Sequence, residues 1–197
     1  MKPAQVLGIS GSPRMNGNSE LLIREFIRGA KSGGHKAELI ILSKLKISPC
    51  TSCGSCQKNG KCIIIDDMQL MHEKLLQADC IVFASPIYFG GVSAQLKSFI
   101  DRCQTLWSRK YILKQALISP DRGKRLGYFI STAGTKGYIK VFEGAILTVK
   151  AIFSSLDIKY TGELLFEDIE SKGDILNHPD AMQMAFEAGS SIVLGKN

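Results

Sequence analysis

The chain has 197 residues, a formal net charge of +7, and 45 % apolar and 22 % charged side chains, which are ordinary proportions for a soluble globular protein. No apolar run approaches the roughly 20 residues of a membrane helix, and the N-terminal segment lacks the apolar core and cleavage site of a secretory signal. We therefore expect one cytoplasmic domain spanning 1–197, with no membrane partner. Because cytosolic thiols stay reduced, we also expect no disulfide framework.

The first half of the chain alternates between strand and helix signals. A short apolar strand over 5–10 precedes a helix over 19–30, in which apolar residues recur at helical spacing. A strand over 36–42 leads into a cysteine-rich loop at 50–62. A helix is then predicted from the acidic pair at 66–67, because acidic side chains stabilise a helix N-terminus.

The second half continues this alternation. Its predicted elements, in chain order, are a strand over 80–84, a helix over 92–103, a strand over 126–131, a helix over 142–156, a strand over 158–166 and a helix from Pro179 through Leu194. Five strands separated by helices predict an α/β fold with a doubly wound five-stranded parallel sheet, commonly of flavodoxin-like order 2-1-3-4-5. Its ligand is expected beyond the carboxyl ends of the strands, near the first and third.

The loop after the first strand is polar and runs into a helix N-terminus. Between Ser10 and Ser19 it holds two glycines, three serines, two asparagines and Arg14. Backbone N–H groups and hydroxyls in such a loop bind phosphate, and the helix dipole favours the anion. The alternative is a polar turn with capping residues. The loop has neither the Walker ending nor the G-x-G-x-x-G pattern of dinucleotide sites.

Two further loops lie at the same predicted edge. The loop over 85–91 contains Tyr88 and Phe89, which offer flat apolar surfaces to a planar ring, or else are core or subunit-interface aromatics. Its glycines allow close backbone approach. The small polar loop Ser131-Thr132-Ala133-Gly134 either supplies backbone hydrogen bonds to a ring edge or is a simple turn.

Four cysteines within thirteen residues form the most specific pattern in the chain. They are spaced C-x2-C-x2-C-x5-C and are Cys50, Cys53, Cys56 and Cys62. Soft thiolates suit an iron–sulfur cluster or zinc. Three states stay open at this point, namely a bound [4Fe–4S] cluster, an unmetallated loop, or zinc. The other two cysteines lie in apolar segments and are expected to be buried.

Much of the positive charge is concentrated in one stretch of the chain. Its residues are Arg109, Lys110, Lys114, Arg122, Lys124 and Arg125. The favoured interpretation is a solvated connecting loop, and the alternative is a docking surface for an acidic partner or a phosphorylated cofactor. No recognition motif accompanies the charge, so nucleic acid is not expected as a partner.

The segments GSPRMNGNS at 11–19 and SPIYFGGVSAQLKSFIDR at 85–102 resemble the NAD(P)H-dependent FMN reductase branch of the flavodoxin-like superfamily. With the cysteine quartet and the Asp-Asp-Met that follows it, the chain is similar to the iron–sulfur flavoproteins. The likeness covers roughly the first 135 residues. The C-terminal third matches only in the order of its elements.

This resemblance implies FMN and not FAD. It implies phosphate contacts from Ser10, Ser12, Arg14, Asn18 and Ser19, and ring contacts from Pro86, Ile87, Tyr88, Phe89, Gly90 and Gly91. It assigns a [4Fe–4S] cluster to the four cysteines. It also implies a homodimer or homotetramer in which the cluster of one subunit faces the flavin of another.

We therefore expect an FMN-dependent oxidoreductase that passes electrons from a ferredoxin-like carrier to a quinone, oxygen or peroxide. No catalytic side chain is assigned, because the flavin carries the redox chemistry. One alternative is an NAD(P)H-dependent FMN or quinone reductase without a cluster. Another is a non-catalytic FMN-binding protein whose thiols sense redox state or hold zinc.

Overall fold

A computed structural model describes residues 3–137 and 140–192 of the chain. The strands are β1 (Gln5–Ser10), β2 (Lys36–Ile41), β3 (Cys80–Tyr88), β4 (Gly91–Val92), β5 (Arg125–Thr132) and β6 (Ile158–Phe166). The α-helices are α1 (Asn18–Ser32), α2 (Ser55–Asn59), α3 (Met68–Gln77), α4 (Ala94–Arg102), α5 (Gln104–Tyr111), α6 (Glu143–Ser155) and α7 (Ala181–Ser190). In these two ranges, no helix has the length and apolar character needed to cross a membrane.

The five long strands form a parallel sheet of order β2-β1-β3-β5-β6. The two-residue β4 pairs only with the end of β3 and runs antiparallel to it. Counting the five long strands alone, this is the predicted order 2-1-3-4-5, so the flavodoxin-like topology is confirmed. The predicted end of the last helix, Leu194, lies outside the described residues.

The sheet is buried on both faces because alternate residues of its central strands pack against different helices. On β3, Ile81 and Phe83 contact the core formed with α3, α4 and α6, whereas Cys80 and Val82 contact the core formed with α1 and α7. The Phe83 ring stacks on Phe153 of α6 with their centroids 5.0 Å apart. This two-sided burial explains the continuous apolar run in the sequence.

Helices α1 and α7 cross with their backbones in contact. A Cβ atom at Gly29 would lie 2.0 Å from the carbonyl oxygen of Phe186, and one at Gly189 would lie 2.0 Å from that of Phe26. No side chain fits at either position, so the crossing requires glycine on both helices. This contact closes one layer of helices over the sheet.

The prediction that the basic stretch from Arg109 to Arg125 is a solvated loop is wrong at both ends of the stretch. Arg109 and Lys110 lie on α5, and Arg125 opens β5 with 1 % of its surface exposed. The Arg125 guanidinium donates to the carbonyl oxygens of Ala78, Leu156 and Leu75, which end neighbouring elements. Burial lowers the pKa of Arg125 to about 10, so it remains charged at neutral pH. The Arg125 side chain therefore joins the C-terminal ends of α3 and α6 and does not face solvent.

Gly29→Ala is expected to destabilise the protein, because the new methyl group would push α7 away from α1. Alanine normally stabilises a helix interior by about 1 kcal/mol relative to glycine, so a net loss of about 1–3 kcal/mol would reflect overpacking at the crossing. Urea unfolding followed by far-UV circular dichroism measures the change.

Gly123→Ala is the matched control, because a Cβ at Gly123 would meet open space. Its free energy of unfolding is expected to stay within about 0.5 kcal/mol of the wild type. If Gly29→Ala were as stable as this control, the close helix crossing would be contradicted.

Candidate functional site

The loop between β1 and α1 is packed so closely that two of its positions require glycine. A Cβ at Gly11 would lie 2.6 Å from the Leu96 Cβ, and a Cβ at Gly17 would lie 2.6 Å from the Ser12 Oγ. Gly17 is also the N-cap of α1 and has no side chain to cap the helix. The first N–H groups of a helix have no partner within it, so here they remain available to an anion.

A buried hydroxyl points to the same kind of ligand. Ser19, in the first turn of α1, is 1 % exposed, and in the described part of the chain its Oγ has no hydrogen-bond partner. Ser12 is already engaged, since its Oγ donates to the carbonyl oxygen of Arg14 at 2.8 Å and so shapes the loop. Buried polar atoms are usually paired, and a phosphate oxygen at this helix terminus would satisfy the Ser19 hydroxyl.

The resemblance implies a phosphate contact for Asn18, but its side chain is hydrogen-bonded to the protein backbone. Its Nδ2 donates to the carbonyl oxygen of Ser171, and its Oδ1 accepts from the N–H of Gly173, each at 2.8 Å. The side chain therefore fastens the loop after β6 to the start of α1. Its backbone N–H still belongs to the helix N-terminus.

The segment after β3 is a tight hairpin, not an open loop. β3 continues to Tyr88, four residues beyond the predicted end, because Ser85 and Pro86 still pair with β5. Phe89 and Gly90 form the turn with φ of +50° and +74°. Phe89 is fully exposed and Tyr88 is 43 % exposed. An aromatic residue in the left-handed region and in solvent is unusual, and it marks the hairpin tip as a surface.

These loops enclose a cavity of about 170 Å³ at the carboxyl edge of the sheet. The predicted residues that line it are Ser12, Arg14, Asn18, Ser19, Pro86, Ile87, Tyr88, Thr132 and Gly134. The structure thus brings together parts of all three predicted loops. The remaining predicted residues, which do not line this cavity, are Ser10, Phe89, Gly90, Gly91 and Ala133.

Ser10 and Ala133 do not line the cavity, but their hydrogen bonds hold the loops that do. Ser10 is fully buried and its Oγ accepts from the N–H of Ser12. Ala133 donates its N–H to the carbonyl oxygen of Phe166 and accepts from the N–H of Ile169. Both residues fix the loops that carry the lining side chains.

Sequence reasoning missed the loop after β6, which completes the cavity with Ile169, Glu170 and Lys172. The Glu170 carboxylate lies so close to Gly134 that a Cβ there would be 1.6 Å from its Oε2. The position of this loop could have been predicted, because the carboxyl ends of all parallel strands in such a sheet meet at one edge. The same rule that selected the loops after the first, third and fourth strands applies to the fifth.

A larger cavity of about 560 Å³ adjoins the cysteine segment. All four predicted ligands line it, and its other walls come from α4, α5 and α6, including Ile100, Trp107 and Ile152. The segment turns sharply on either side of α2, at Gly54 and Gly60, both with positive φ. The four thiols therefore line one cavity, and their role as ligands stays a prediction.

The thiols of this segment differ from the two buried ones. Hydrogen bonding by Ser55 lowers the pKa of the exposed Cys53. Burial raises the pKa of Cys80 to about 12 and also raises that of Cys103. Both of these were expected to be buried, and both are. The thiols that are exposed or half-buried are thus those of the cysteine segment.

The donor set fits a thiolate-bound group. Cys56 Sγ lies 3.4 Å from Ser108 Oγ, and the N–H of Ser52 donates to Cys50 Sγ at 3.4 Å. Such donors stabilise thiolate ligands. In the part of the chain that the structure describes, however, no three His, Cys, Asp or Glu side chains are already arranged around a metal position. Closing the segment around a group would require the thiols to draw together.

Residues 4–158 match the family described as NADPH-dependent FMN reductase. An iron–sulfur flavoprotein of Methanocaldococcus jannaschii is 47 % identical over 102 residues, which make up 52 % of this chain and 53 % of that protein. A Bacillus subtilis protein whose name describes an NAD(P)H-dependent FMN-containing oxidoreductase is 31 % identical over 182 residues, which make up 90 % of this chain and 92 % of that protein.

The solved structure of an NAD(P)H:quinone oxidoreductase from Methanothermobacter marburgensis has a TM-score of 0.70 at 18 % identity, covering 95 % of this chain and 96 % of that one, a likeness of fold. The chain spans about half the length of the iron–sulfur flavoproteins that it matches. The family match extends over most of the sheet, and the Bacillus relative extends over nearly the whole chain. The chain therefore belongs to the NADPH-dependent FMN reductase family and has its flavodoxin-like fold.

Proposed function

We propose that this chain is an FMN-dependent oxidoreductase that also holds a [4Fe–4S] cluster and takes electrons from an acidic, ferredoxin-like carrier. The single observation that carries the proposal is the presence of two separate cavities, one at the N-terminus of α1 and one lined by four thiols. A quinone, oxygen or peroxide would be the final acceptor. Bound FMN supplies one- and two-electron chemistry, and a cluster supplies one-electron chemistry.

The chain's own residues provide binding and orientation at the first cavity. The Ser19 hydroxyl and the first N–H groups of α1 would hold the FMN phosphate, with the charges of Arg14 and Lys172 nearby. Pro86, Ile87 and Tyr88 would supply an apolar wall for the ring, and Thr132 and Gly134, which line the same cavity, would lie at the edge of the ring. These contacts fit the family's cofactor.

At the second cavity, Cys50, Cys53, Cys56 and Cys62 would supply the four thiolate ligands. Cations surround this segment, since Lys58 and Lys61 are exposed on it and the side chain of Arg109 packs against Gly60. A cationic rim attracts an acidic electron donor and speeds its association at low salt. The iron–sulfur flavoprotein relatives support the cluster through their names. A homodimeric or homotetrameric assembly stays a prediction.

The second candidate is an NAD(P)H-dependent FMN or quinone reductase without a cluster. It is favoured by the Bacillus relative, because that protein matches along nearly its whole length and is named for NAD(P)H and FMN alone. In this case the cysteine segment would be unmetallated or would hold zinc. The two candidates share the FMN site and differ in donor and metal.

Ser19→Ala is expected to weaken FMN binding at least about tenfold, because a hydrogen bond to a charged phosphate contributes about 1.5–3 kcal/mol. The unfolding free energy of the FMN-free protein should not fall, since the hydroxyl has no partner in the described structure. Titration of the FMN-free protein, followed by quenching of flavin fluorescence, measures the affinity.

Ser154→Ala, on the exposed side of α6, is the control and should bind FMN like the wild type. Equal affinity in Ser19→Ala and this control would remove the serine from the phosphate site. A wild-type protein unable to bind FMN would refute the proposed function itself.

Cys53→Ala is expected to abolish iron binding and leave FMN bound, because three thiols no longer complete the cluster's ligand set. Anaerobic purification followed by iron, sulfide and flavin assays measures this. Cys80→Ala, outside the cysteine segment, should keep its iron. Zinc in place of iron, or no metal in the wild type, would contradict the cluster and favour the second candidate.

Reduced ferredoxin is expected to bleach the flavin absorbance of the anaerobic protein much faster than NADPH does. The reason is that a single-electron carrier matches a cluster, whereas hydride transfer needs nicotinamide against the flavin. Stopped-flow absorbance with each donor gives the two rates. Rapid bleaching by NADPH alone would overturn the proposed donor.

A further inference from the structure

Helix α4 connects the two cavities. At its start, the Ser93 Oγ donates to the carbonyl oxygen of Gly11 at 2.5 Å, and the Ser93 N–H donates to Ser85 Oγ at 2.9 Å. Gly11 directly follows β1, and Ser85 precedes Pro86, which lines the smaller cavity. Ser93, the N-cap of the helix, is therefore fixed to both segments that carry lining residues.

At the other end of α4, Arg102 is buried, with 1 % of its surface exposed. It forms an ion pair with Asp66, with Nη1 2.6 Å from Oδ2 and Nη2 3.1 Å from Oδ1. Its Nη1 also donates to the carbonyl oxygen of Ser48 at 2.8 Å, and its Nη2 donates to that of Ile64 at 3.2 Å. Ser48 and Ile64 lie on either side of the cysteine segment, so one guanidinium joins its start to its end.

Asp66 strengthens the same junction. Its carboxylate accepts from the N–H of Ser48 at 2.9 Å and from the N–H of Met68 at 3.0 Å. Desolvation opposes its charge, but the hydrogen bonds from Arg102 and from these N–H groups hold the pKa of Asp66 below its ordinary value. Removal of one partner of a buried ion pair is strongly destabilising, so this junction resists opening.

One donor of Arg102 remains unused. In the described part of the chain its buried Nε has no hydrogen-bond partner. Desolvation opposes the charge, but Asp66 and the neighbouring Cys62 together raise the pKa of Arg102. Arg102 also lines the cavity into which the four thiols open. Arg102 and Cys62 therefore line the same space that a cluster would fill, and the Nε–H is the donor of Arg102 left for a ligand there.

We propose that Arg102 is a positioning residue that clasps the cysteine segment onto α4 and donates its Nε–H to the Cys62 sulfur or to the group bound there. The donation to a bound group rests on the proposed function, whereas the clasp does not. α4 then sets the separation of the two cavities. A positive charge beside a thiolate-bound cluster favours its more negative, reduced state, so Arg102 also raises the cluster's reduction potential.

The test uses the full-length, anaerobically purified protein with Arg102→Lys and Arg102→Gln. Trypsin cleavage after Lys58 and Lys61, followed by mass spectrometry, reports how often the cysteine segment opens. Both variants should be cleaved at least about tenfold faster than the wild type, because neither residue can make the four-acceptor clasp. Arg28→Gln, which removes an exposed ion pair on α1, is the control and should match the wild type.

The midpoint potential of the bound cluster is the second readout. Arg102→Gln, which lacks the charge, should shift it in the negative direction, whereas Arg102→Lys should stay near the wild-type value. If Arg102→Gln fails to fold, Arg102→Lys still decides the clasp by its cleavage rate. Asp66→Asn, which removes a negative charge beside Arg102, should then shift the potential in the positive direction, and an unchanged potential in that variant would overturn the charge effect.

Unchanged cleavage in both Arg102 variants would overturn the clasp. Faster cleavage with identical potentials in the lysine, glutamine and wild-type proteins would overturn the donation to the bound group. A wild-type protein without iron would refute the proposed cluster, yet the cleavage rates would still confirm or overturn the clasp. Failure of the proposed cluster and failure of the Arg102 clasp are therefore distinguishable.

Discussion

The hydrogen bonds around Gly11 are the constraint on which the rest of the site depends. Its N–H donates to the carbonyl oxygen of Ala84 at 2.7 Å, and its own carbonyl accepts from Ser93. No Cβ fits there, because the end of β1, the middle of β3 and the start of α4 meet at this point. The helix terminus of α1 is then aimed at the same edge, and α4 runs from it to the cysteine segment. Cofactor cradle and thiol cavity are thus parts of one scaffold.

The strands could be predicted because each is an apolar run with distinct flanks, and the parallel order follows from the intervening helices. Buried charge could not be predicted in the same way. Arg102 and Arg125 occur next to ordinary polar residues in the sequence, but their partners, such as Asp66 and the carbonyl of Ala78, lie more than thirty positions away. Only the folded chain brings these groups together, so local patterns assign arginines to the surface.

The parts of the candidate site that depend on neighbouring residues in the sequence could be predicted. Glycines, serines and a helix start indicate the proposed phosphate loop, and the cysteine spacing indicates the segment whose thiols line the larger cavity. The roles of neighbouring side chains in this loop depend on long-range contacts. The Asn18 side chain is hydrogen-bonded to the backbone at Ser171 and Gly173, whereas the Ser19 hydroxyl has no partner among the described residues. The hairpin at Tyr88 to Gly91 escaped prediction because its turn uses a phenylalanine in the left-handed region, where glycine or asparagine is usual.

We propose that one chain carries an FMN site and a thiolate-bound iron cluster at opposite ends of α4. A crystal structure of the anaerobically purified protein, with anomalous diffraction recorded at the iron absorption edge, tests it most directly. We expect an iron peak among Cys50, Cys53, Cys56 and Cys62, and FMN density with its phosphate at Ser19. Flavin density with no iron signal in that cavity, or an FMN phosphate bound elsewhere, would contradict it.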